Sequence, residues 1–544
     1  MRFARALSGV VLCVAMLSSS GCGGNGVSGP GSVISPALGA SGTTADGWTP
    51  GVYLPASDYA ERCAVPRVGT DPFTGRTYPD IPGSVTDQNN WLRSWTHALY
   101  YWYNEVTDYD PATYSTAQYF DLMKTLQTDA RGAPKDRFHF SYPTSVWEAM
   151  EQGTSVGYGV QWAIVNASPP RRIMVAYTQP GTPAVAAPAD LLRGAQLLDV
   201  DGVDVINGST ATDVDTINAA LVPTTSGEVH SFTVLDPGSS IPRTFTMQAQ
   251  DITDQPVLQV KTLASPAGTV GYILYNDQVD ASAETELIQA ITTLKADGVT
   301  QLVLDLRYNG GGLLGLASEL AYMVAGPAQT AGETFYLQQF NDQYSTTNPV
   351  TGEPITPVPF FATTQGLSAV AGQELPTLNL SSVYVLTSAE TCSASEAIIN
   401  GLRGVGVQVY QFGSTTCGKP YGFYPQDNCG ITYFSIEFKG VNALGFGDFG
   451  DGFSPQNTVS SPGVILPGCS VADDFAHALG DPNEAVLSAA LMYMADPSGS
   501  VCPAPTGGGS PALQAKQERP GHIRVRSRLR EMLILPRPGQ AQRP

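Results

Sequence analysis

The sequence TCSASEAI at residues 391–398 marks a point where a strand passes into a helix. An apolar run, VYVLTS at residues 383–388, precedes it, and a helix-like pattern follows it. A second strand-like run then leads to TTCGKP at residues 415–420. The whole segment from residue 255 to about residue 498 alternates strand and helix patterns in this way. This alternation predicts an α/β domain.

The two loops contain a serine and a lysine, a pair that can act as a nucleophile and its base. Ser393 follows the first strand, and Lys419 lies 26 positions later. A serine becomes a nucleophile when a base takes its proton, and a lysine is such a base when burial keeps it neutral. The chain has five histidines, and none of them lies in either loop. The residues therefore predict a serine–lysine hydrolase rather than one with a Ser-His-Asp triad.

Each of these residues also fits a structural role. Ser393 could be a helix N-cap, because Glu396 three positions later completes a capping box. Lys419 on its own fits a surface lysine. Cys392 beside the serine resembles a nucleophile, but no histidine in the segment would activate it. We expect Cys392 to be a structural thiol or part of a disulfide.

The charge distribution argues against nucleic acid as a partner. The 544 residues carry a net charge of -20. The segment from Pro503 onward holds eight Lys/Arg against two Asp/Glu, so it is +6 and the remainder is about -26. An acidic body repels phosphate backbones. The sequence has no CxxC pair and no HExxH motif, so we predict neither a metal nor another cofactor.

The beginning of the chain is predicted to be a targeting segment. Arg2 and Arg5 precede a short apolar run, and small residues lead directly to Cys22. We interpret residues 1–21 as a lipoprotein signal peptide and Cys22 as the lipid-bearing residue, with ordinary secretion as the alternative. Residues 22–51 are predicted to be a flexible Gly/Ser/Pro linker. The protein would then be exported and anchored to a bacterial cell envelope, on its periplasmic or outer face.

Export makes disulfide bonds possible. Our first expected pair is Cys417 with Cys429, which flank a short loop, and our second is Cys469 with Cys502. Six cysteines follow position 22, namely Cys63, Cys392, Cys417, Cys429, Cys469 and Cys502.

Two regions precede the α/β segment. Residues 52–152 show helical spacing and are predicted to be a helical region. Residues 153–252 change to strand-like runs and resemble a PDZ domain. The resemblance rests on GYGV, on PGTPA for the start of a short helix, and on LLRGAQLLDVDGVDV. It implies that loop amides at Gly157, Tyr158, Gly159 and Val160 bind a peptide C-terminal carboxylate and that the peptide adds as a strand. A small β-rich domain without a ligand is the alternative.

The motif DLRYNGGG, Asp305–Gly312, places consecutive glycines between a strand and a helix. Such a turn leaves backbone N–H groups open and can hold an anion, including a developing oxyanion. A phosphate-binding loop would need GxxxxGK[ST] or GxGxxG, which the motif lacks. A purely structural tight turn remains open at this point.

Taken in order, these landmarks make residues 85 to 460 resemble the C-terminal processing peptidases, or tail-specific proteases. The resemblance implies a crotonase-like α/β core, which we place at residues 253–498, with Ser393 as nucleophile and Lys419 as general base. Glu396 matches the acidic residue of the motif and would orient the dyad or the helix start. The backbone N–H of Ala394 and one from Gly310 or Gly311 would hold the oxyanion. Protein or peptide substrates, recognised through their C-termini, are the implied partners, with the membrane reached through the lipid anchor.

The chain departs from the family in two places. The serine and lysine are one residue farther apart than in many members, and Phe423 stands where a glutamine is common. The second departure favours an alternative, a weakly active or inactive peptide-binding protein on the same fold. A small-molecule or acyl-CoA hydrolase on a crotonase-like fold is a third hypothesis. Residues 499–544 are predicted to be a disordered basic tail.

Overall fold

The computed structural model describes residues 48–461, 463–505, 523–524 and 533–534. The predicted signal peptide, the lipidation residue Cys22 and nearly all of the linker lie outside these residues. No helix in the described part of the chain is long and apolar enough to cross a bilayer. The elements described below belong to one compact unit that begins at Pro50.

The region before residue 153 combines helices with short strands. Its longest helix begins after Ser84, whose backbone and side chain form a capping box with Asp87. Trp91 and Trp95 of this helix pack against Tyr433, a residue from much later in the chain. The elements are β1 (Arg62–Cys63), β2 (Ile81–Pro82), α1 (Val85–Leu99), α2 (Thr116–Leu122), β3 (Phe140–Pro143) and α3 (Thr144–Glu151), with 3-10 turns at Ala56–Asp58, Tyr103–Glu105 and Pro111–Thr113.

The next region is a small antiparallel sheet with one helix, which we call the β-rich domain. Its strands follow the order β10-β9-β7-β6-β5, with β8 beside β7 and a separate β4–β11 pair. It has an apolar core of its own, which includes Trp162, Ile217 and Phe232. The elements are β4 (Thr154–Gly157), β5 (Val160–Asn166), β6 (Arg172–Thr178), β7 (Gln196–Val200), β8 (Val203–Asp204), α4 (Ala211–Leu221), β9 (Val229–Leu235), β10 (Arg243–Gln248) and β11 (Gln250–Thr253).

This arrangement is compatible with a PDZ domain, with one local difference. The sequence predicted a short helix at PGTPA, whereas residues 180–189 form successive turns. Pro180, Pro183 and Pro188 lie in that stretch. Proline has no N–H to donate and disfavours helical backbone in the residue before it, so a regular helix does not form there.

The remaining part is an α/β domain. Its central sheet has the order β12-β13-β14-β18-β19-β26, in which β12 is antiparallel and the other neighbours are parallel. This confirms the predicted mixed α/β fold class. The helices are α5 (Ala283–Ala296), α6 (Leu314–Ala325), α7 (Pro327–Thr330), α8 (Ala394–Gly404) and α9 (Ala485–Ala495). The strands are β12 (Val257–Ser265), β13 (Gly268–Tyr275), β14 (Gln301–Asp305), β15 (Gly312–Leu313), β16 (Thr334–Gln339), β17 (Val358–Pro359), β18 (Ser382–Thr387), β19 (Gln408–Gly413), β20 (Tyr421–Gly422), β21 (Gln426–Asn428), β22 (Ile431–Phe434), β23 (Phe438–Val441), β24 (Phe453–Pro455), β25 (Val464–Leu466) and β26 (Gly468–Ser470).

The parallel order brings the three sequence motifs to one edge of the sheet. Strands β14, β18 and β19 are neighbours, and each is followed directly by one motif: DLRYNGGG, TCSASE or TTCGKP. Carboxyl ends of adjacent parallel strands lie side by side, which is where ligands bind in open α/β sheets. Strand β3 of the first region also pairs with β22, so that region is tied to the α/β domain by backbone hydrogen bonds.

A buried arginine anchors the end of β14. The Arg307 side chain is 1% exposed and forms ion pairs with Asp305 at 2.7 Å, Asp473 at 2.8 Å and Glu484 at 2.9 Å. Burial alone would lower the pKa of Arg307, but the three carboxylates raise it well above its usual value. Arg307 therefore remains protonated. Its ion pairs hold together the end of β14, the loop at Asp473 and the start of α9.

Arg193 extends this network into the β-rich domain. Its guanidinium donates to Asp473 Oδ1 at 2.7 Å and to the Tyr308 hydroxyl at 3.0 Å. Tyr308 belongs to the DLRYNGGG motif. The β-rich domain is thus joined to the loop that follows β14 by one buried cation.

We expect Arg307→Met to lower the free energy of unfolding by about 3–5 kcal/mol, because it leaves buried carboxylates without their partner. Arg243→Met is the matched control, since Arg243 pairs with Asp236 at 2.5 Å in a partly exposed position and such a pair contributes about 0–1 kcal/mol. Urea unfolding of both variants measures the difference. Equal losses would contradict the structural role of Arg307.

A pair of buried glutamates holds the loop at residues 365–369. Glu284 and Glu319 each accept the Gln365 N–H at 2.8 Å, and Glu284 accepts the Ala369 N–H at 2.6 Å. Burial, and then the neighbouring charge of Glu284, raise the pKa of Glu319 to about 9. Glu319 therefore keeps its proton at neutral pH.

The raised pKa of Glu319 predicts a loss of stability with rising pH. The unfolded chain releases this proton near pH 4.5 and the folded chain near pH 9, so the contribution is full below the lower value and declines up to the higher one. We expect the melting temperature to fall less between pH 5 and pH 9 in Glu319→Gln, which mimics the protonated form. The exposed Glu353→Gln should follow the parent protein. An identical decline in all three would refute the assignment.

Candidate active site

Ser393 lies between β18 and α8 in an unusual backbone conformation. Its φ is 59° and its ψ is -111°, in the region that favours glycine. The Glu396 side chain accepts the Ser393 N–H as in the predicted capping box, whereas the Ser393 hydroxyl has no hydrogen-bond partner among the described residues. Strained non-glycine residues of this kind persist only where the surrounding structure holds them, and they are concentrated at functional sites.

Lys419 lies in the loop after β19 and is fully buried. Its Nζ is 4.1 Å from the centre of the Phe423 ring and 4.8 Å from the centre of the Phe138 ring. The rings attract a charged ammonium, whereas the loss of water disfavours one. Phe423, the departure from the family pattern, therefore contacts the lysine directly. Phe138 comes from the region before the β-rich domain.

Glu396 connects the serine loop to the lysine loop. Its buried carboxylate accepts the N–H of Ser393 at 3.0 Å and the N–H of Lys419 at 2.8 Å. It also accepts the Gly418 N–H at 2.8 Å and the Thr416 hydroxyl at 2.5 Å. Burial raises the pKa of Glu396, the hydrogen bonds lower it, and the net direction is upward. All four partners are donors, which fits an ionised carboxylate.

A disulfide joins the same two loops. Cys392 precedes the serine, Cys417 lies two residues before the lysine, and the two are bonded to each other. Cys392 is therefore not a nucleophile. Among the described residues, the candidate metal-binding group consists of these two cysteines and Glu396. The disulfide leaves it without thiolates, which are the form of cysteine that binds metals.

The observed disulfides correct one predicted pair and confirm the other. Cys429 bonds to Cys63 rather than to Cys417, whereas Cys469 and Cys502 are bonded as predicted. Cys429 lies in the turn between β21 and β22. Because β22 pairs with β3, that turn lies beside the first region of the chain and not beside the lysine loop.

The glycine-rich loop is tied to the serine loop by Asn309. The Asn309 carbonyl accepts the Cys392 N–H at 3.1 Å and the Ser395 hydroxyl at 3.1 Å. Its side-chain oxygen accepts the Gly311 N–H at 3.0 Å. In this conformation the Gly311 N–H is therefore already engaged, which favours Gly310, of the two predicted positions, as the oxyanion donor beside Ala394.

Gly312 allows the chain to approach the segment after β13. A Cβ at this position would lie 2.1 Å from the backbone of Gln278. The Gln278 amide donates to Ser395 Oγ at 2.8 Å and to Asn309 Oδ1 at 3.1 Å. Gln278 and Phe138 were not predicted from the sequence, because nothing in their local sequence distinguishes them. Asn309 could have been found, since it lies inside the glycine-rich motif.

The predicted peptide-binding residues are in the β-rich domain, apart from the dyad. Gly157 ends β4, Val160 begins β5, and Tyr158 and Gly159 lie between the two strands. The Tyr158 side chain is buried in the domain core. Gly159 has a φ of 72°, and a Cβ there would lie 2.3 Å from the Thr182 hydroxyl oxygen. A larger residue would therefore disrupt this loop.

Comparison with known proteins gives matches within the α/β region. Residues 269–422 match the model of peptidase family S41. The chain is 30% identical over 268 residues to a carboxyl-terminal-processing protease of Picosynechococcus sp., covering 49% of this chain and 55% of that protein. It is 31% identical over 170 residues to the protease of the same name from Synechocystis sp., covering 31% and 37%. The chain thus spans about half, or less, of the length of these curated relatives.

A solved structure shows the same fold. It is a protein of Bacteroides fragilis described as an S41 protease, with a TM-score of 0.55 and 20% sequence identity. The match covers 77% of this chain and 98% of that chain. The predicted resemblance to C-terminal processing peptidases is confirmed by the family model and the curated relatives, and the solved structure confirms the fold.

We expect Glu396→Gln to destabilise the protein by several kcal/mol, since an amide nitrogen would face donors and buried donors would lose their acceptor. Glu286→Gln is the matched control, because Glu286 lies in the first turn of α5 and accepts one backbone N–H, that of Val257, at 2.8 Å. Thermal unfolding compares the two. A smaller loss for Glu396→Gln than for Glu286→Gln would show that the carboxylate does not hold the loops.

Proposed function

We propose that this chain, with its peptidase family S41 domain, is a serine endopeptidase that uses Ser393 as nucleophile and Lys419 as general base. The observation that carries the proposal is the shared attachment of the two loops. One buried carboxylate accepts the backbone N–H groups of both residues, and one disulfide joins their neighbours. Such double fixation suits a pair of groups that must keep a set distance.

The proposed reaction has two steps. Lys419 Nζ, in its neutral form, takes the proton of Ser393 Oγ, and the oxygen attacks a peptide carbonyl. The backbone N–H groups of Ala394 and Gly310 stabilise the oxyanion, and each such donor typically lowers the barrier by about 3 kcal/mol. The lysine then protonates the leaving amine, and a water activated by the same lysine releases the acyl group. Glu396 acts as a positioning residue, because its contacts are with backbone and not with the reacting atoms.

We propose further that the β-rich domain is a PDZ domain that recognises substrate C-termini through Gly157, Tyr158, Gly159 and Val160. Its attachment through Arg193 supports a link to the active site, since Arg193 contacts Tyr308 of the glycine-rich motif. Unfolded or C-terminally exposed proteins would be the substrates. The disulfides support an oxidising compartment, consistent with export and anchoring through Cys22.

A second candidate is a peptide-binding protein without catalysis. It is favoured by the Phe423 ring on Lys419 and by the absence of a partner for Ser393 Oγ among the described residues. Catalytic hydrogen bonds are often formed only with substrate present, so this observation does not exclude activity. Labelling of Ser393 by a fluorophosphonate probe separates the two candidates, because only an activated serine reacts.

We expect Ser393→Ala to reduce cleavage of an unfolded protein such as casein by about a thousandfold or more, because the nucleophile is lost. Ser382→Ala, a change at the start of β18 and away from the loops, should retain full activity. Fragment mass spectrometry follows the reaction, and the fragment ends report specificity. Cleavage by Ser393→Ala at the parent rate would refute the assignment.

A further inference from the structure

In the described part of the C-terminal tail (residues 503–544), Ile523 and Arg524 contact the β-rich domain. The Ile523 side chain is 7% exposed and belongs to the apolar core of that domain, together with Val214 and Ile217 of α4. The adjacent Arg524 N–H donates to Asn218 Oδ1 on the same helix at 2.6 Å. The sequence predicted a disordered tail, but this pair of residues has defined contacts. An isoleucine placed in this way acts as an apolar anchor.

The tail also forms a strand at the candidate active site. Leu533–Ile534 make up β27, which pairs in parallel with β15, so that Gly312 lies opposite Leu533. Strand β15 directly follows Gly310 and Gly311. Strand β27 also contacts β20, which begins two residues after Lys419. The tail backbone therefore reaches both the glycine-rich loop and the lysine loop.

The two contacts together form a known mode of peptide recognition. A peptide that adds as a strand and inserts an apolar side chain is held by its backbone and by one specific pocket. Arg524 and Leu533 are nine positions apart, and the structure describes both. The tail's excess of positive charge also complements the acidic remainder of the protein.

Ser393 and Lys419 are both 0% exposed. A substrate carbonyl must reach the serine oxygen, so some part of the structure has to move before an external peptide can be cut. Strand β27 occupies the edge of β15, directly after the glycine-rich loop.

We propose that the tail is an intramolecular ligand of α4 and β15, anchored by Ile523 and paired through Leu533–Ile534, which external substrates must displace. The competition between the tail and external substrates rests on the proposed peptidase function, whereas the binding of the tail to α4 and β15 does not. A tethered ligand has an effective concentration on the order of 1 mM, so an intrinsic Kd of about 0.1 mM would slow the cleavage of external peptides about tenfold.

A photocrosslinking experiment tests the occupancy. The full chain carries p-benzoylphenylalanine at position 524, which is exposed beside α4, and a second preparation carries it at position 540. Irradiation followed by peptide mapping should link position 524 to residues 211–221 of the same chain, with little linkage from position 540. Links between two chains, equal links from both positions, or no link to α4 would overturn the proposal.

A rate measurement tests the competition. Ile523→Asp places a carboxylate in an apolar core, so the anchor should detach, and cleavage of a fluorogenic peptide should rise about tenfold by the estimate above. Leu533→Pro, which removes a backbone donor, should act in the same direction. Ile241→Asp is the matched control, because Ile241 is 76% exposed in the same domain. Parent-like rates in both tail variants would overturn the competition.

The outcomes separate this inference from the proposed function. If no variant cleaves peptides and position 524 still links to α4, the peptidase assignment fails and the tail remains an intramolecular ligand. If the parent cleaves and no link forms, the peptidase assignment stands and the tail inference fails.

Discussion

The carboxylate of Glu396 is the interaction on which the candidate site depends. A buried negative charge is costly unless hydrogen bonds compensate for it, and here the compensating donors come from the two loops that carry Ser393 and Lys419. The same bond at the Ser393 N–H helps to hold the backbone at positive φ. Removing the charge would therefore affect the positions of Ser393 and Lys419 at the same time.

The sheet explains why these loops meet at all. Three adjacent parallel strands end at one edge, and the buried Arg307 cluster fixes the first of those ends against α9. Arg193 joins the β-rich domain to the same cluster. A single network of ion pairs thus links the strand that precedes the glycine-rich turn with the domain that we propose to bind peptides.

Much of this arrangement could be predicted from the sequence. The strand and helix alternation gave the fold class, and the three motifs lay where neighbouring strand ends bring them together. Contacts distant in sequence could not be predicted. Nothing local to Phe138 or Gln278 indicates that tertiary packing carries them to Lys419 and Ser395. Cys429 was assigned to a neighbour in sequence, whereas the pairing of β22 with β3 decides its partner.

The bond between Cys63 and Cys429 has a topological consequence. It closes a covalent loop with a sequence separation of 366 residues, and this loop contains the β-rich domain, the glycine-rich turn and both residues of the proposed dyad. One backbone break inside that loop, by another protease or by the protein itself, would release no fragment. The nicked molecule would migrate as two pieces after reduction and as one before it, and it would keep every active-site group attached.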